Sequence, residues 1–287
     1  MSVAKPGPLV VQEPPAQPFV RIVPLGGCGE IGRNMTLIET RTDMVAVDCG
    51  LMFPDAEMYG VDIVINDFTY IRERREKFRG IFVTHGHEDH IGGIPYLLRE
   101  FNVPVVGTAL TNALIKAKSR DHKMVGEAHF QTVQPGGRVR FGEIEAEFIH
   151  INHSVSGACA LALRTPTGTI FHTGDFKFDQ TPADFAAIAR VGDEGVLCML
   201  SDSTNAERPG HTLSERIVGE AFTNVFSHAK GRIIVASFAS NVPRIQQVID
   251  HAVQFDRKIA FLGRSLTNVV HFASELKYLT VPGDRTI

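Results

Sequence analysis

His85-Gly86-His87-Glu88-Asp89-His90 constrains this chain more than any other segment. Four side chains able to hold a metal, His85, His87, Asp89 and His90, fall within six residues, directly after the apolar run Ile81-Phe82-Val83-Thr84. A loop at the carboxyl end of a strand can turn alternate side chains into one cavity, and Gly86 lets the backbone bend between two of them. Neutral imidazole and carboxylate suit a borderline divalent cation such as zinc or manganese. A polar surface loop with coincidental histidines would not pack HxHxDH so densely. The fold must therefore place a strand beneath this loop and bring further ligands from other strand ends.

Candidates for those ligands follow other apolar runs. His153 follows IEAEFIHI, and Asp175 follows TIFHTG, where a carboxylate can bridge two cations. Asp48, in VAVDCG, is placed to accept an imidazole N–H and orient a ligand. His150 and His172 fall inside strands and read as structural. His122, His129, His211, His228, His251 and His271 have no partner pattern and read as ordinary residues.

The rest of the pattern is α/β. Residues 1–18 hold five prolines and read as a flexible arm. Strands are expected at FVRIVPL and at MTLIE and MVAVD, the last two joined as a hairpin. Residues 68–79 read as a charged helix with a solvated face, and helices follow near 91–101, over TALTNALIKAK and over Pro182 to Arg190. Strands predominate from about 128 to 173, and VLCMLS is a further strand. Residues 212–279 then alternate helix with the strands RIIVASF and KIAFLG, which reads as a parallel α/β unit. A domain boundary is placed near NAERPGH, giving domains of residues 19–207 and 208–287.

Gly27, Gly29 and Gly32 spell GxGxxG after the first strand and imitate a dinucleotide fingerprint. A strand rather than a helix follows them, and the space before MVAVD cannot hold a crossover helix. A tight turn beside a functional loop is the expected role.

Composition narrows the partners. The net charge is -3, from 29 basic and 32 acidic residues, so the chain is no general polyanion coat, and any nucleic-acid contact must be local. No apolar run approaches the roughly 20 residues of a membrane span, and the first residues lack the apolar stretch of a signal peptide. The four cysteines form no CxxC pair and read as buried free thiols in a reducing, cytoplasmic compartment.

Together VDCG, HGHEDH, His153 and HTGDF resemble the metallo-β-lactamase superfamily over about residues 19–205. PLGGCGEIGRN, GLMFPDAEMYGVD, SDSTNAERPG, SFASNVPRIQQ and GRSL narrow the resemblance to the bacterial ribonuclease J family, within the β-CASP group of nucleases. The resemblance implies an αββα sandwich with an inserted, here incomplete, α/β β-CASP cap domain from about residue 208. It implies two divalent metal ions, Zn2+ or Mn2+. His85, His87 and His153 would hold one, Asp89 and His90 the second, with Asp175 bridging. Asp202, after VLCMLS, matches an acidic motif of the group; Asp89, Asp175 and Asp202 are the implied catalytic carboxylates.

The implied reaction is two-metal hydroxide attack on an RNA phosphodiester, with 5′–3′ exonuclease and endonuclease activity in RNA processing and decay. The implied partner is single-stranded RNA with a 5′-monophosphate end, bound by a homodimer of the full-length chain. Ser237, Ser240 and Asn241, where a strand meets a helix, are candidates to receive an RNA phosphate, as is Arg264 of GRSL. Helix capping is the competing role for Ser240 and Asn241.

Two other functions compete. One is hydrolysis of a small thioester or lactam, which needs no α/β cap. The other is a catalytically dead RNA-processing subunit, which intact HxHxDH, His153 and Asp175 count against. The family's pattern continues past Ile287 with further histidine motifs and closing strands. Residues 1–287 made alone are therefore expected to be inactive on RNA, poorly soluble and substoichiometric in the second metal.

Overall fold

The computed structural model describes residues 17–121, 128–178, 183–210 and 214–286. The first sheet holds β1 (Arg21–Gly26), β2 (Met35–Glu39), β3 (Met44–Val47), β6 (Phe78–Phe82), β7 (Val105–Gly107) and β8 (Phe130–Thr132), in the order β1-β2-β3-β6-β7-β8. A short ribbon of β4 (Leu51–Met52) and β5 (Val64–Ile65) lies between β3 and β6 in sequence. The second sheet holds β9 (Arg138–Phe141), β10 (Ile144–His150), β11 (Cys159–Thr165), β12 (Gly168–His172) and β13 (Cys198–Leu200), in the order β13-β12-β11-β10-β9. The helices are α1 (Thr69–Arg72), α2 (Glu88–Ile91), α3 (Ile94–Glu100), α4 (Ala109–Asp121), α5 (Phe185–Glu194), α6 (Arg216–His228), α7 (Val242–Gln254) and α8 (Arg264–Glu275).

Strand alternation divides the side chains among layers. Ile38, Val45, Val47 and Phe82 of the first sheet meet Ile144, Ala146, Phe148, Leu161 and Leu163 of the second in one buried core. The intervening residues Leu37, Met44, Ala46 and Ile81 face the other way, onto Ile71, Ile91, Ile94 and Leu97 of α1, α2 and α3. On the far side, Ile149, Ala160, Ala162 and Phe171 pack on Val191 of α5. The small alanines there admit a helix, while the leucines of the same strand fill the inter-sheet space. This is an αββα sandwich.

A bulge keeps the alternation in phase. Met44 pairs with Phe78 and Val45 with Gly80, so Arg79 is an extra residue. Gly80 then lies under the Phe141 ring, where a Cβ would crowd it. Beyond β13, α6, α7 and α8 share a core with α4 through Leu110, Phe226, Val242, Ile245, Ile249 and Val269.

Several expectations change. Residues 68–79 are not one helix: α1 and a 3-10 turn (Arg75–Lys77) give way to β6 at Phe78. Phe78 buries against Phe101, ring centroids 5.7 Å apart, and its place opposite Met44 wins over helical propensity. Nor is this stretch merely solvated, since Lys77 and Arg74 face the buried carboxylate of Glu39. RIIVASF and KIAFLG form no strand among the described residues; a single bridge, Ile259 with Thr286, is present. Ile234, Phe238 and Leu262 remain exposed there, and strand composition without a neighbouring backbone makes no ladder. The helix expected from Pro182 starts instead at Phe185, where Asp184 caps it by accepting Ala187 N–H at 2.9 Å. Cys28 is exposed and Cys198 half-buried, so only Cys49 and Cys159 fit the buried-thiol reading. His122, His211, Pro182 and most of the proline-rich arm lie outside the described residues.

Candidate metal centre

The site forms where the two sheets present their carboxyl ends together. Asp48 follows β3 and His85 follows β6, which run parallel. His153 follows β10, Asp175 follows β12, and Asp202 follows β13, parallel to β12. The expected loop at HGHEDH carries a helical turn from Glu88, with Ile91 N–H on His87 O at 2.9 Å and Gly92 N–H on Glu88 O. That turn brings Asp89 and His90 back beside His85, whose ring centroid lies 4.0 Å from that of His90.

Two groups of ligand atoms result. His85, His87, His153 and Asp175 form one, and Asp89, His90 and Asp175 the other, each within 4.8 Å. Asp175 belongs to both. In the first, His85 Nε2 and His153 Nε2 each lie 3.0 Å from His87 Nδ1, and Asp175 Oδ2 lies 3.8 Å from His153 Nε2. In the second, His90 Nε2 lies 3.3 Å from Asp175 Oδ1 and 3.6 Å from Asp89 Oδ2. Bonds of about 2.0–2.1 Å in a tetrahedral cation site place ligand atoms about 3.3 Å apart. The spacing and the nitrogen and carboxylate donors therefore fit two neighbouring divalent cations.

The surroundings fix which atoms face the centre. Thr84 N–H and Oγ1–H both donate to Asp48, each at 2.8 Å. With its proton so used, Thr84 Oγ1 accepts from His85 Nδ1 at 3.0 Å and leaves the Nε2 lone pair pointing at the cluster. His90 Nδ1 sits 2.8 Å from Asp48 Oδ2, which likewise turns its Nε2 inward. Asp48 itself has φ of 60°, a left-handed conformation that costs an aspartate little.

Charge follows from burial. Burial and the neighbouring His90 hold His87 down at about 4, and burial with His87 holds His153 at about 4, so both rings are neutral and able to ligate. His85, buried among imidazoles, is pushed well below the usual histidine range. Burial also acts to lower His90, but the carboxylates of Asp48 and Asp175 outweigh it and hold its pKa up. Burial raises the Asp89 carboxyl. For Asp175 burial is opposed and overcome by the His90 hydrogen bond, which lowers it.

The remaining candidates lie around this cluster or apart from it. Asp202 Oδ1 accepts Thr204 N–H at 2.8 Å, the bond of a turn aspartate, while its carboxylate also acts on His153. His172 Nδ1 accepts Gly174 N–H at 3.0 Å, in keeping with a structural histidine. Asn241 caps α7 by accepting Arg244 N–H at 3.1 Å. Ser240 precedes it, Ser237 is exposed with its hydroxyl on Phe238 O, and Arg264 opens α8 on the surface. None of these four belongs to the two ligand groups. Sequence reasoning missed Thr84, although it adjoins His85, and Asn34, whose Nδ2 lies 3.1 Å from Asp89 Oδ2. Nothing local marks Asn34, because its partner is 55 residues away.

The sandwich carries at its strand ends a His/Asp cluster whose donors fit two divalent cations. The chain belongs to the metallo-β-lactamase superfamily, whose family profile it matches over residues 28–216. Residues 230–287 match a second profile, Ribonuclease J, beta-CASP domain. Ribonuclease J of Helicobacter pylori (strain J99 / ATCC 700824) is 43% identical over 269 residues, 92% of this chain and 39% of that protein. Ribonuclease J of Synechocystis sp. (strain ATCC 27184 / PCC 6803 / Kazusa) is 45% identical over 270 residues, 92% of this chain and 42% of that protein. Ribonuclease J 2 of Staphylococcus epidermidis (strain ATCC 35984 / DSM 28319 / BCRC 17069 / CCUG 31568 / BM 3577 / RP62A) is 42% identical over 273 residues, 93% of this chain and 49% of that protein. The chain thus spans less than half the length of these relatives. Among solved structures, a protein of unknown function from Enterococcus faecalis V583 shares the fold, with a TM-score of 0.70 at 15% identity over 93% of this chain and 73% of its own.

Proposed function

We propose that this chain carries the catalytic centre of a metal-dependent ribonuclease that hydrolyses RNA phosphodiesters from the 5′ end and internally. The observation that carries the reading is Asp175, whose carboxylate joins two ligand groups where the strand ends of both sheets meet. Similarity to Ribonuclease J proteins over 92% of the chain supports RNA as the substrate.

In this reading His85, His87 and His153 hold one cation, Asp89 and His90 the other, and Asp175 both. When bound, two such cations, zinc or manganese, supply an acidified water and neutralise charge on the scissile phosphate. The protein's part is orientation. Asp48, directly and through Thr84, fixes the tautomers of His90 and His85. Asp202, held by Thr204 N–H, adds negative charge beside His153 and is the third catalytic carboxylate. Residues 19–207 form the hydrolytic domain and 208–287 belong to the cap. Ser237, Ser240, Asn241 and Arg264, at the starts of α7 and α8, receive RNA phosphates, and Asn241 does so while capping its helix. The working form is a homodimer.

A thioester or lactam hydrolase is the competing reading. The layer of α6, α7 and α8, which shares a core with α4, counts against it. Incubating the protein at its natural length with 5′-labelled single-stranded RNA, a thioester and a lactam separates the two. Turnover of RNA alone is expected; turnover of only the small substrates overturns the proposal.

A further inference from the structure

The glycine turn that imitates a nucleotide fingerprint leads directly to Asn34. Gly27 has φ of 84°, and a Cβ there would overlap Asn34 Oδ1. The turn is also closed from within, with Gly27 N–H on Glu30 Oε1 at 3.2 Å and Arg33 gripping both oxygens of Glu30. Gly27 N–H is thus taken by a carboxylate of the turn itself rather than left for an external anion.

Asn34 is seated by its backbone and spends its amide on the centre. Asn34 N–H donates to Asp89 O at 2.9 Å, and Asn34 O accepts Gly50 N–H at 2.9 Å. The Nδ2 group then lies 3.1 Å from each of Asp89 O, Asp89 Oδ2 and His90 Nε2. Two of these, Asp89 Oδ2 and His90 Nε2, are side-chain atoms able to ligate in the second group, and none belongs to the first. The amide's two protons match two oxygens, Asp89 O and Asp89 Oδ2, so the amide is satisfied whatever His90 Nε2 faces.

We infer that Asn34 is a positioning residue for the second cation, holding the Asp89 carboxylate in ligating orientation beside His90, and that the glycine turn exists to place its amide. The inference rests on the two-cation reading above. It assigns a function to GxGxxG that needs no nucleotide.

The test is a Mn2+ titration of the metal-free protein at its natural length, followed by electron paramagnetic resonance, for the wild type, Asn34→Ala and Asn34→Asp. The wild type is expected to take one cation tightly and a second more weakly. Asn34→Ala should weaken the second about tenfold or more and leave the first unchanged, as loss of a group that orients a ligand does. Asn34→Asp keeps the shape and sets an acceptor where a donor stood. It should not restore wild-type binding, and it separates lost donation from lost volume. Thermal melts of the metal-free proteins control for folding. Unchanged binding of both cations in both variants overturns the inference, and so does equal weakening of both cations with a lowered melt, which marks a general structural role. A wild type that takes only one cation overturns the two-cation reading, and the inference with it.

Discussion

At the scale of the residue, the centre depends on hydrogen bonds as much as on ligands. Asp48 is buried, and its carboxylate serves Thr84 and His90 together. This arrangement was half legible: Asp48 could be read as an orienting carboxylate, since VAVD ends a strand. Thr84 could not, because its value lies in one hydroxyl that donates to Asp48 and accepts from His85, and hydroxyl direction is invisible in a sequence. Thr84→Val keeps the shape and removes that hydroxyl. It should weaken the first cation about tenfold, as read by cation titration, while Thr84→Ser restores it. Equal affinities in all three proteins would deny Thr84 this role.

At the scale of the element, the sandwich was legible because short, nearly continuous apolar runs such as MVAV mark strands buried on both faces. The lengths of α1 and β6 were not, because Phe78 answers to Phe101 and Met44 rather than to its neighbours in sequence. The segments RIIVASF and KIAFLG, which form no ladder among the described residues, make the same point: composition proposes a strand, and a partner makes one. Close packing between elements gives two further predictions. Gly50 lies against the backbone of Asp89, where a Cβ would overlap the carbonyl. Gly50→Ala should destabilise the fold by about 1–3 kcal/mol, as overpacking does, and weaken the second cation by shifting α2. Urea unfolding and cation titration check both, and an unchanged urea midpoint would argue that α2 yields freely.

Glu39 ties β2 to its neighbours through Arg21, Tyr70 and Lys77. Burial acts to raise its pKa, but the bonds from Tyr70 and Lys77 overcome it and hold the carboxyl below its usual 4.5. A lowered folded pKa contributes stability that is present above the unfolded value and lost as pH falls through the folded one. The urea midpoint of the wild type should therefore fall more steeply below about pH 4.5 than that of Glu39→Gln. Parallel acid profiles would assign the acid sensitivity elsewhere.

At the scale of the whole molecule, a net charge of -3 coexists with a proposed polyanionic substrate. Confinement of that proposed contact to a channel between sandwich and cap would reconcile them. RNA affinity should then fall with salt at a slope reflecting only a few phosphates. A slope equivalent to about ten contacts would point to a broad basic surface instead. Among the described residues no helix is long and apolar enough to cross a membrane.

The central claim is that the paired His/Asp groups sharing Asp175 hydrolyse RNA with bound cations. The most direct measurement tracks 5′-labelled, 5′-monophosphorylated single-stranded RNA with the protein at its natural length, first metal-free, then reloaded with Zn2+ or Mn2+. Asp89→Ala serves as the matched control, with folding monitored by circular dichroism. The account predicts cleavage only in the reloaded wild type, and a folded but inactive Asp89→Ala. Cleavage that survives metal removal, or substantial cleavage by Asp89→Ala, would contradict it.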